Sequence, residues 1–251
     1  FILTILRKKN ILELHHEIGI ESRIVQLISK YSNFFNYNSL IKIVAITESV
    51  KLYYKKKFKI NEKKFLVSPS GSSLKINKFY FSNNKKKLNI GYFGSIYKSR
   101  GIELILKLSR IDKNNNYYIY GDFKKFKNIK IKNSNSNLFI GGYIPYKKIP
   151  EKIVKMDILL MPYSSYATSA GDIGNIIKYT SPLKLFDYLA SGKFIICSNV
   201  SVLKEIISEK KNAVLINNSQ NVFSWKMEID KIKNLIDKRL IFSMNNFKLS
   251  N

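Results

Sequence analysis

A chain of 251 residues with 45% hydrophobic content can bury one large core or two smaller ones. It contains no apolar run approaching the roughly 18–20 residues that a membrane-spanning helix needs. Its 44 Lys and Arg stand against 17 Asp and Glu, a formal net charge of +27. Two readings of that charge stay open: a compositional bias spread over the whole chain, or docking on an anionic membrane surface. The single cysteine excludes an intrachain disulfide and fits a reducing cytoplasm. Two histidines and one cysteine without ligand spacing argue against a structural zinc site.

Phe1–Leu6 is apolar but too short for a signal-peptide core, and charges follow at once. A helical pattern begins at Ile20–Leu27 and extends to Tyr31. Ile41–Thr47 reads as a strand, Glu48–Phe58 as a helix with a Lys-rich outer face, and Phe65–Ser68 as a strand broken by Pro69-Ser70-Gly71. Residues 74–87 are polar, basic and without periodicity. They are read as a linker between an N-terminal domain, 1–73, and a C-terminal domain, 88–251.

Beyond the linker, strands and helices alternate. The strands are expected at Leu88–Tyr92, Tyr117–Tyr120, Leu138–Ile140, Ile158–Met161, Phe194–Cys197 and Ala213–Ile216. The helices are expected at Gly101–Ile111, Tyr146–Met156, Pro182–Ala190, Val202–Ile207 and Val222–Ile236. Such alternation implies right-handed βαβ units and a doubly wound parallel sheet, an α/β fold with its ligand beyond the carboxyl ends of the strands.

One segment, SPLKLFDYLASGKFIICS from Ser181 to Ser198, carries the most information. Ser181 is a natural N-cap, and Pro182 fits the first helical position. Proline has no N–H, so Leu183 and Lys184 offer the first free backbone donors, and a helix start favours an anion. Lys184 contributes through its backbone N–H rather than its ammonium, which is free to face solvent. Asp187 lies deeper in the helix, where a carboxylate can accept bonds from sugar hydroxyls. Without a ligand, the same pattern is a capped helix followed by a buried strand.

This segment resembles the donor-site helix of family-four (group 1) glycosyltransferases, which have the GT-B fold. Asp187 stands where that family carries its second, ribose-binding glutamate. Tyr179 stands where the first would be, so that glutamate's role is not carried over. LNIGYFGSIYKSRG (Leu88–Gly101) resembles the strand, glycine loop and basic-Gly step that open the donor domain. YYIYGD, LFIGGYI and PEKIVKMDILLMP resemble its later elements in order. ILELHH (Ile11–His16) is similar to the end of an acceptor-domain strand bearing a histidine.

The resemblance implies a GT-B type fold with a partial acceptor domain, the upstream part lying outside this sequence, and a complete or nearly complete donor domain. It implies transfer of a hexose from a nucleotide-diphosphate sugar to a glycan or glycolipid acceptor in surface-glycan synthesis. Such transfer retains configuration and uses no metal or other cofactor, in the cytoplasm or on the inner face of its membrane. Gly94, Ser95, Arg100, Ser181, Leu183 and Lys184 would hold the diphosphate, Asp187 the ribose, and Tyr143 would lie near the base. Relatives often carry an Arg where this chain has Ser95. His15 would face the reaction centre, since adjacent His15 and His16 point to opposite faces of a strand.

Two other readings accompany it. A basic, aromatic-rich chain could bind nucleic acid or anionic lipid. Yet most aromatics fall on presumed core faces and no nucleic-acid motif appears, so nucleic acid is not expected as a partner. A GT-B nucleotide-sugar epimerase would keep the fold and change the chemistry.

Overall fold

The computed structural model describes residues 2–16, 23–76, 81, 86–96, 100–123, 135–164, 182–208 and 211–250. Contacts divide the chain into two compact units. Among the described residues, the first comprises the chain to Ser70 together with Pro182 and Val200–Glu205; the second begins at Gly71 and takes in the remainder.

The first unit holds a three-stranded parallel sheet in the order β1-β2-β3, from β1 (Asn10–Leu14), β2 (Leu40–Ala45) and β3 (Phe65–Val67). Short α1 (Ile2–Ile5) precedes β1, and α2 (Arg23–Tyr31) lies between β1 and β2. Helix α3 (Glu48–Phe58) starts where Thr47 accepts the Val50 N–H at 3.1 Å, and stops at Lys59, which adopts a left-handed backbone. The Glu205 carboxylate also accepts the N–H groups of Glu48 and Ser49, at 2.8 and 3.1 Å, satisfying the helix start. The core gathers Leu14, Phe35, Ile43, Ala45, Val50 and Tyr54, with Phe35 and Tyr54 packed edge to face at 5.4 Å.

The second unit contains six parallel strands in the order β6-β5-β4-β7-β8-β9. They are β4 (Asn89–Phe93), β5 (Asn116–Tyr120), β6 (Leu138–Gly142), β7 (Ile158–Met161), β8 (Phe194–Ser198) and β9 (Ala213–Ile216). The chain winds outward from β4 to β6, then returns to β7 on the other side of β4 and winds the opposite way. The reversal point lies between β4 and β7, where such sheets bind ligands beyond their carboxyl ends.

The strands β7, β8 and β9 are buried at every position, as expected for a parallel sheet covered on both faces. One face joins Ile158, Leu160, Phe194 and Ile196 to Ile105 of α4 (Ile102–Ile111) and to Trp225 and Ile229 of α8 (Val222–Asn234). Helix α9 (Ile236–Ser250) packs against α6 (Leu183–Ala190) and β8. The remaining helices, α5 (Ile149–Ile153) and α7 (Ser201–Lys204), are short.

Several expectations need correction. The helix expected over Tyr146–Met156 is a 3-10 turn at Tyr146–Lys148 followed by α5, because Pro150 lacks an N–H and fits only a helix start. The helix expected at Val202–Ile207 is the four-residue α7. The pattern read as running to Ile236 ends at Asn234, with α9 following as a separate helix. The strand expected to carry His15 and His16 ends at Leu14, and both histidines lie in a bend beyond it, so opposite-face geometry does not apply. Leu74 and Ile76, within the stretch read as a linker, are buried.

Candidate functional site

Three strand ends of the second unit are stitched together by glycine-bearing turns. The Gly94 N–H donates to the Tyr120 carbonyl at 3.0 Å, and the Gly121 N–H to that of Gly142 at 2.8 Å. A β-carbon at Gly121 would collide with the Gly94 carbonyl oxygen, so the backbones of these turns approach as only glycine allows. Above them opens a cavity of about 320 Å³ lined by Phe93, Ser95, Asp122, Tyr143, Ile144 and Tyr146 among others. Phe93 and Tyr120 stack at 4.9 Å between centroids and give it an apolar wall. Tyr143 lines the cavity and is exposed, free to cover a flat group entering it.

One residue of helix α6 bonds directly to the strand end beside this cavity. The Tyr188 hydroxyl accepts the Phe93 N–H of β4 at 2.8 Å and lies within 3.3 Å of the Phe93 carbonyl. Burial pushes this phenol well above its ordinary pKa, so it remains a neutral bridging hydroxyl. That bond ties the second turn of α6 to the end of β4, where the Gly94 turn begins.

Asp187, one residue before Tyr188, accepts two hydrogen bonds on Oδ1. One comes from the Ser72 hydroxyl at 2.6 Å, the other from the Tyr146 hydroxyl at 2.7 Å. Both donors were missed in the sequence, for no local pattern links residues 115 and 41 positions apart. They hold the carboxylate at the cavity edge, where Tyr146 also lies.

The positive groups are equally specific. The Lys184 ammonium lies 3.8 Å from the centroid of the Tyr92 ring, and a β-carbon at Gly94 would sit 2.7 Å from Lys184 Cε. Gly94 has φ of 141°, a second reason for glycine there. This corrects the expectation that the ammonium faces solvent: the side chain crosses the glycine turn instead. Arg100 stacks on the Tyr163 ring at 4.8 Å, and Lys184 Nζ lies 5.7 Å from the same ring. Desolvation, then the neighbouring Arg100, holds the Lys184 pKa well below the usual lysine value. Among the described residues, neither cation has a carboxylate partner.

Gly94, Ser95, Arg100, Lys184, Asp187 and Tyr143 thus belong to one unit, around the carboxyl ends of its central strands. Leu183 is exposed at the first turn of α6. Ser181 and most of the loop expected over Ser164–Tyr179 lie outside the described residues. His15 belongs to the first unit, just past the end of β1, with Nε2 3.2 Å from the Glu13 carboxylate.

Over residues 75–248 the sequence matches the model of the glycosyl transferases group 1. The chain belongs to the group 1 glycosyl transferases. No curated protein matches it significantly. Among solved structures, HepE of Anabaena, crystallised with UDP and glucose, is similar at a TM-score of 0.70 and 12% identity, over 99% of this chain and 68% of HepE. TarM is similar at a TM-score of 0.65 and 15% identity, over 96% of this chain and 46% of TarM. WaaG, a glycosyltransferase involved in lipopolysaccharide biosynthesis, is similar at 0.64 and 13% identity, over 97% of this chain and 71% of WaaG. At such identities the likeness speaks to fold, and the fold is of the GT-B type. Among the described residues of this glycosyltransferase, no helix is long and apolar enough to cross a membrane.

Proposed function

We propose that the second unit of this glycosyltransferase binds the nucleoside diphosphate of a sugar donor, and that the protein of which this chain is part moves the sugar to a hydroxyl acceptor. The observation that carries this reading is the convergence of the Gly94 turn, the first turn of α6 and the Asp187 carboxylate beside one cavity. The base enters the cavity between Tyr143 and the Phe93–Tyr120 wall. The ribose hydroxyls reach Asp187, which trades bonds with Ser72 and Tyr146 for bonds with the sugar. The diphosphate lies across the Gly94 turn, facing Arg100 and the N–H groups at the start of α6.

Departure of the diphosphate is the demanding part of glycosyl transfer. Positive groups already in place where negative charge grows lower its barrier. In this reading Arg100 and the α6 amides meet that charge, and transfer proceeds in the presence of a chelator. HepE has been crystallised with UDP-glucose, which supports a UDP-hexose as donor. The role of WaaG in lipopolysaccharide biosynthesis supports a surface-glycan acceptor. His15 is proposed on the acceptor side, at the carboxyl end of β1.

Calorimetry of the full chain with UDP, GDP and ADP tests the reading. Saturable binding of one of them is expected, weakened about 10- to 100-fold in Asp187→Ala, the loss of one or two bonds to a charged group. A folded chain that binds none of the three, or an Asp187→Ala variant that binds as well as the parent, would refute it.

A further inference from the structure

In the described start of the strand-end turn, Gly94 to Ile96, no residue carries a positive charge, and Arg100 stands at the far end of the same connection. Residue 95 is a serine, exposed, with its carbonyl accepting the Tyr92 hydroxyl at 2.7 Å. A cation nonetheless reaches the turn, from a different element. The Lys184 side chain runs from α6 over the place a Gly94 side chain would fill, and the missing Cβ would lie 3.2 Å from Nζ. We propose that Lys184, through its ammonium, is a diphosphate-binding residue of this site and supplies, from across Gly94, a positive charge beside that of Arg100. The proposal rests on the nucleotide-binding reading above and deepens it.

Three observations separate this role from simple packing. First, the ammonium's described surroundings are the faces of Tyr92 and Tyr163 and a second cation, Arg100. An aliphatic residue would fill the same space without placing two positive charges near each other in a partly desolvated site. Second, a ring face is a weaker partner for an ammonium than an oxyanion, so a diphosphate draws it away. Third, a side chain at residue 94 would collide with that path, and residue 94 is glycine.

Among the described residues, the titratable and charged groups around Lys184 are Tyr92 from β4, Tyr163 beyond β7 and Arg100 before α4, while its own helix carries Asp187 and Tyr188. Tyr92 and Tyr163 are pushed upward by burial and remain neutral. Desolvation and Arg100 favour the neutral amine at Lys184, whereas a bound diphosphate favours the ammonium. Binding therefore takes up a proton at pH values where the free amine is neutral, and affinity falls as pH rises through that window.

The test is calorimetry on the full chain with whichever of UDP, GDP and ADP binds, beside its bare nucleoside, in two buffers of different ionisation enthalpy. Lys184→Met keeps length and apolar volume and removes the charge. It is expected to weaken the diphosphate about 10- to 100-fold, leave the nucleoside within about twofold, and abolish the proton uptake of the parent. Unchanged diphosphate affinity would overturn the proposal. So would equal loss of nucleoside and diphosphate, which marks a structural role. Both results differ from a parent that binds no nucleotide, which removes the underlying reading and this proposal with it.

Discussion

The two ends of the six-stranded sheet handle buried charge in opposite ways. At the amino ends of β5 and β6, fully buried Asp112 is saturated. Its carboxylate accepts from the Asn114 N–H at 3.1 Å, the Asn115 amide at 2.8 Å and the Tyr117 hydroxyl at 2.7 Å, and Lys226 stands 3.9 Å away. Its carbonyl accepts from the Asn137 amide at 2.7 Å. At the carboxyl ends, Lys184 and Arg100 face aromatic rings with no described carboxylate between them. A charge with a full set of partners organises the chain around it. One that rests on ring faces is left able to receive an anion, at a cost in stability. The comparison separates framework from site within a single sheet.

The largest expected break in this picture comes from Asp112→Ala. Truncation orphans the buried Tyr117 hydroxyl and Asn115 amide, while Lys226 keeps its pairing with Asp230, and should cost about 3–5 kcal/mol in urea unfolding. Nucleotide affinity of the folded fraction should stay within about twofold. A loss below about 1 kcal/mol would show that the network is dispensable.

Tyr146→Phe probes the other end more gently. It removes one of the two donors that hold Asp187 while Ser72 remains, so nucleotide binding should weaken about two- to fivefold. An unchanged affinity would show that Ser72 alone positions the carboxylate.

The smallest effect sharpens the contrast most. Lys184 has a lower pKa in the fold than in the unfolded chain, so unfolding takes up a proton between those two values. Stability therefore rises with pH through that window, and the penalty is fully present below it. Lys184→Met should raise the melting temperature by about 1–3 °C at neutral pH, with the gain shrinking as pH climbs toward the ordinary lysine value. A lower melting temperature would show that the ammonium stabilises the fold.

What the sequence disclosed follows from how local each signal is. Strands β7 and β9 begin and end where their four-residue apolar runs do, Ile158–Met161 and Ala213–Ile216, because burial on both faces leaves no polar position to blur the edge. Helix α3 coincides with Glu48–Phe58 because Thr47 caps it and Lys59 turns left-handed after it. Asp187 was legible from its place in the helix and from family resemblance. The orientation of the Lys184 ammonium was not, for it depends on Gly94 and Tyr92 ninety positions earlier. The only trace in the sequence was the absent side chain at residue 94. Ser72 and Tyr146 were silent for the same reason: each meets Asp187 only through the fold. Pro150 did announce the start of α5, and a longer helical period over Tyr146–Met156 obscured it.

The bond between Tyr188 and Phe93 joins residues 95 positions apart. It sits under the place where, in the proposed reading, two chain segments offer groups to one ligand. Because it is made by the protein alone, the alignment of helix start and glycine turn is settled during folding. The incoming molecule then gives up its own rotational and translational freedom, but does not also have to order these two segments. If the proposed donor site holds, more of its interaction energy is left for the step in which the glycosidic bond lengthens, and the shared scaffold is a rate advantage acquired before any substrate arrives.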